Sequence, residues 1–138
     1  MNRSPEYEDY QDYKGKMIRF KYVYLNAGNI FSLRAIEDNN KEVSREFSAY
    51  DYISQANNLY KIRQIIKREL NIRYFSDDGG EEFKDMNFGY FKGNITTDAK
   101  NEICLVVDGR KMSMVDLERV IAPHQGFEIE MKISDGST

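Results

Sequence analysis

MIRFKYVYLNAGNIFSLRAIE, residues 17–37, decides the architecture. Ile18, Phe20, Tyr22 and Tyr24 fall on one side of an extended chain, and Arg19 and Lys21 on the other, because successive strand side chains point to opposite faces. Asn26-Ala27-Gly28-Asn29 is turn chemistry, since Asn and Gly tolerate positive φ. Phe31, Leu33 and Ala35 then resume the alternation. The stretch predicts a β-hairpin, and with it an antiparallel sheet whose one face needs a cover.

The cover comes next. Tyr52, Ala56, Leu59, Ile62, Ile66 and Leu70 recur at steps of three and four, the stripe of an amphipathic helix. Ser48 is the expected N-cap, with Asp51 three residues on as a capping-box partner. Ile53 and Tyr60 widen the stripe, and Asn57-Asn58 is where it would bend. A helix of about 20 residues spans about 30 Å and can cover several strands.

Further on, residues 72–75 and 89–96 read as short strands, and Ile103-Cys104-Leu105-Val106-Val107 as a buried one. Asp108-Gly109 is a two-residue hairpin signal leading into Arg110-Lys111-Met112. Ser113 and Asp116 open a short helix over 114–121, which Pro123 stops. Phe127, Ile129, Met131 and Ile133 alternate with Glu128, Glu130 and Lys132, predicting a final strand. The expected fold class is α+β: an antiparallel or mixed sheet, one long helix packed on a face, and a C-terminal β-α-β unit. Residues 16–135 read as a single domain, between a flexible acidic, Tyr-bearing arm (1–15) and a short tail (136–138).

Composition bounds the function. The chain has 138 residues, 41% hydrophobic and 13% aromatic, enough for a core. A net charge of −3 argues against a general nucleic-acid binder. The lone Cys104 excludes an internal disulfide and a Cys-rich zinc site, and its apolar neighbours make it a buried strand thiol. The longest apolar runs are about five residues, against the ~20 of a membrane span. The N-terminal residues have no apolar stretch of a secretory signal. A reducing cytoplasm, without a membrane, is the expected setting.

Few residues group into chemistry. The only His is His124, beside Pro123. A nucleophilic triad would have to use it as base, and a surface imidazole is the simpler reading. Asp77, Asp78, Glu81, Glu82 and Asp85 surround Gly79-Gly80 and could offer oxygen ligands to a hard cation, but they lack the EF-hand spacing and read as a solvated turn. Neither a cofactor nor a metal site is expected. Lys61, Arg63, Lys67, Arg68 and Arg73 set five cations against Glu69 alone, a face that could touch phosphates. The acids of 77–85 follow directly, so a dipolar soluble surface explains both. Tyr7, Tyr10 and Tyr13 suit protein contacts, because Tyr offers area with few rotatable bonds. Docking on the chain's own sheet suits them equally. Arg119 and His124, near the exit of the short helix, have no evident backbone role and join the tyrosines as candidate protein-binding residues.

Residues 105–135 resemble the C-terminal signature of a family of uncharacterised bacterial proteins. The matching positions are Asp108, Gly109, Lys111, Ser113, Asp116, Arg119, Gly126, Phe127 and Asp135. Upstream, YKIRQIIKRELNIRYF (60–75) and GYFKGNI (89–95) resemble that family's long helix and following strand. Members resembling a zinc ribbon at the N-terminus carry Cys pairs, which this chain lacks. The resemblance implies a fold and a bacterial or phage source, and no reaction. The expected function is a small non-enzymatic protein-binding or accessory module, in its sharpest form a phage- or mobile-element-encoded inhibitor of a host defence enzyme. The alternatives are nucleic-acid binding through the basic helix face and a hydrolase using His124.

Overall fold

The computed structural model describes residues 4–76 and 82–135. The fold is α+β: two antiparallel sheets, of four and three strands, and two α-helices, the longer packed on the larger sheet. By contacts between residues the chain divides into two compact units. The first comprises the described residues of 1–40, 46–72 and 134–138, and the second those of 41–45 and 73–133.

In the first unit, β1 (Tyr7–Gln11), β2 (Met17–Ala27), β3 (Ile30–Glu37) and β4 (Glu46–Asp51) form a meander in that order. The predicted hairpin is β2–β3, paired in register from Phe20↔Glu37 to Ala27↔Ile30. Phe20, Tyr22, Leu33, Ala35 and Ala49 point inward to meet Ile62, Ile66 and Leu70 of α1 (Gln55–Leu70).

Two expectations change here. The N-terminal arm is not loose over its described part: Tyr7–Gln11 pairs with β2 as an edge strand. The long helix starts at Ser54, whose side chain accepts from the Asn57 amide, not at Ser48. Residues 46–51 instead obey the two-residue period, with Phe47 and Ala49 on the inner face opposite Ala35 and Leu33. Tyr52 and Ile53 lie outside the helix and are exposed. Asn58, the expected weak point, is fully buried and donates to the Phe31 carbonyl and the Gln55 amide oxygen.

In the second unit, β5 (Asn94–Thr97), β6 (Ile103–Val107) and β7 (Arg110–Met112) form the smaller sheet, followed by α2 (Met114–Ile121) and a 3₁₀ turn (Ala122–His124). Asp108 and Gly109 have φ of 52° and 74°, the left-handed pair of a type I′ hairpin. Val43 from the β3–β4 loop, Cys104 and Val106 form a buried cluster, and Tyr74, Phe75, Phe83, Val107 and Met112 are buried too. A side chain at Gly93 would collide with the Val106 carbonyl.

Residues 72–75 supply only an isolated bridge, Phe75↔Met86, and the strand expected over 89–96 shortens to Asn94–Thr97. The final strand of the expected β-α-β unit is not formed: 127–133 pairs with no strand among the described residues. The Ser113–Asp116 capping box is present, with bonds of 2.9 and 3.0 Å. Ser113→Ala is expected to cost about 1 kcal/mol. Faster amide exchange in the first turn of α2 would register it, and unchanged exchange would refute it.

Candidate functional site

The three N-terminal tyrosines diverge. Tyr7 lies on the outer face of the sheet, where the Arg19 guanidinium sits 5.9 Å from its ring centroid. Tyr13 is in the β1–β2 turn, its amide donating to the Leu70 carbonyl at 3.1 Å. Tyr10 points inward, and its hydroxyl joins a network centred on Glu8. They do not make one contact surface.

Sequence reasoning missed Glu8. Its carboxylate accepts from Tyr22 at 2.6 Å and Tyr10 at 2.8 Å, and takes the Arg63 fork at 2.9 and 2.5 Å. Burial alone would raise this carboxyl. Hydrogen bonds from Arg63, Tyr22 and Tyr10, with the Arg63 charge, hold it instead at about 2. Burial pushes the Tyr10 hydroxyl up to about 12, and raises that of Tyr22 as well. The network ties the edge strand to the helix.

Several cations of the basic stretch have acidic partners. Arg63 is committed to Glu8, Lys61 pairs with Asp51 at 3.1 Å, and Arg68 lies 3.7 Å from Glu69. Arg73 lies beyond α1, donating to the Ser76 carbonyl. Lys67 remains exposed in the last turn.

Arg119 and His124 do come together. Both line a cleft of about 540 Å³ in the second unit, floored by Phe75, Phe83 and Val120 and bordered by Glu82, Lys84, Asp85 and Asp116. Arg119 reaches to 4.0 Å from Asp116, and Lys84 to 3.6 Å from Glu82, so these border charges are matched. His124 packs on Phe127, ring centroids 5.4 Å apart. Of the acidic loop, Asp77, Asp78 and Glu81 lie outside the described residues. Among the described residues no three His, Cys, Asp or Glu side chains are placed to hold a metal ion. None of their helices is long and apolar enough to cross a membrane.

After the His124 turn, the segment 127–133 leaves its apolar row in solvent. Phe127 is 76% exposed, Ile129 65%, Met131 74% and Ile133 75%. Glu128, Glu130 and Lys132, with Met131, border an open trough beside Gly89 and Tyr90. The signal was visible in sequence as a strand pattern, but its exposure was not.

The cleft, the capped helix and this segment all fall within one matched region. Residues 72–138 match the family model of a domain of unknown function, DUF7713. The C-terminal signature quoted above lies wholly inside the DUF7713 match. No curated protein and no solved structure matches the chain.

Proposed function

We propose that the chain is a non-enzymatic protein-binding or accessory module whose contact element is the segment 127–133. The supporting observation is its exposed alternating apolar row, Phe127, Ile129, Met131 and Ile133. Strand sequence without a ladder suits strand addition, in which backbone pairing supplies affinity and alternate side chains supply specificity. The sharper reading, a phage- or mobile-element-encoded inhibitor acting in the cytoplasm on a host defence enzyme, draws on this exposed surface.

Nucleic-acid binding is less favoured because Lys61, Arg63 and Arg68 each face an acid. A hydrolase using His124 is less favoured because its ring packs on Phe127.

The test compares wild type with Ile129→Glu/Met131→Glu as immobilised baits in a bacterial lysate. Both residues are exposed, so circular dichroism should be unchanged. The wild type is expected to retain proteins that the variant loses. Identical retained profiles would remove the segment as the contact element.

A further inference from the structure

We propose that the partner of segment 127–133 is a second copy of this chain, joined by antiparallel pairing of the two segments about a two-fold axis at Glu130. This rests on the protein-binding reading above and names its partner.

The sequence of the segment is nearly its own complement. With Glu130 on the axis, Phe127 lies opposite Ile133, Ile129 opposite Met131, and Glu128 opposite Lys132. Two-fold symmetry repeats each pair. All four exposed apolar residues thus gain an apolar neighbour, and two Glu–Lys pairs form across the strands. Opposed residues share a face, and such pairs are the unit of sheet stability.

Neighbouring registers do worse. An axis at Ile129 sets Glu128 against Glu130 twice, and an axis at Met131 sets Phe127 against Asp135. The backbone fits as well. The Phe127 amide donates to the His124 carbonyl at 2.8 Å. In an extended chain the amides of 128, 130 and 132 point to the opposite edge, so that edge is turned toward the partner. The apolar pairs then take the close, non-hydrogen-bonded sites, and Glu130 faces its symmetry mate across a wider hydrogen-bonded one. That like-charge contact is the one flaw of the register.

The flaw makes the proposal specific. Sedimentation equilibrium over a wide concentration range should show a monomer–dimer equilibrium. Lys132→Glu should weaken the dimer about tenfold or more, because two attractive pairs become repulsive. Glu128→Lys/Lys132→Glu should restore it to within about twofold, and Glu130→Gln should tighten it about threefold. All three positions are exposed, so folding should be unaffected. A double variant as weak as Lys132→Glu, or a Glu130→Gln protein that associates less, would overturn the register and the proposal. A wild type monomeric throughout overturns self-pairing; if Ile129→Glu/Met131→Glu still abolishes capture of other proteins, the protein-binding reading stands. A monomer whose captured proteins ignore those substitutions overturns both.

Discussion

Asp108→Ala is expected to loosen the second unit by about 3 kcal/mol, raising exchange of the Tyr74 and Phe75 amides roughly a hundredfold. The Asp108 carboxylate accepts from both amides, at 3.0 and 2.9 Å. The residues they belong to are buried, so Ala leaves two donors with no acceptor in place. Alanine is also strained at a φ of 52°. Asp108→Asn separates the two causes. It tolerates the left-handed backbone and keeps one acceptor oxygen, so it should lose about half as much. Exchange rates at Tyr74 and Phe75 that match wild type in Asp108→Ala would refute the role.

Glu8→Ala is expected to cost the first unit about 2 kcal/mol or more at neutral pH, and to remove part of its acid sensitivity. The substitution strands Arg63, Tyr22 and Tyr10, three donors aimed at one carboxylate. The sign of the pH effect follows from the direction of the shift. Glu8 is held at about 2 when folded, below its ordinary 4.5. Its stabilisation is therefore complete above about pH 5 and lost as pH falls toward 2. Asp51 and Asp98, also held down to about 2 by their partners, contribute to the same window. Only the difference between wild type and Glu8→Ala isolates the network. Parallel pH profiles for the β1 amides of the two proteins would exclude it.

Legibility in the sequence followed the range of the interactions. The hairpin 17–37, the Asp108-Gly109 turn and the Ser113 cap are specified by residues a few positions apart, and each formed where spacing placed it. The edge strand was hidden because one of its inward residues is Glu8, polar in any periodicity count, whose partners Tyr22 and Arg63 lie 14 and 55 positions away. The helix start was misplaced because Tyr52 and Ile53 extended the stripe in sequence, although they stay exposed in the fold. Segment 127–133 had the right period but, among the described residues, no strand to pair with. Arg119 and His124 were singled out because no backbone role claimed them, and the cleft they line is built also from Phe75 and Phe83, distant in sequence.

The β3–β4 loop sets a boundary condition on inheritance. Residues 41–45 belong to the second unit: Val43 fills its buried cluster, Glu42 meets Lys111 and the Ala99 amide, and the Ser44 carbonyl accepts from Asn94. The DUF7713 match begins only at residue 72. A recombination event cutting there would carry off the capped helix and the exposed segment but leave a piece of their foundation behind. The stretch that the DUF7713 model matches and the unit that packs in space therefore do not coincide.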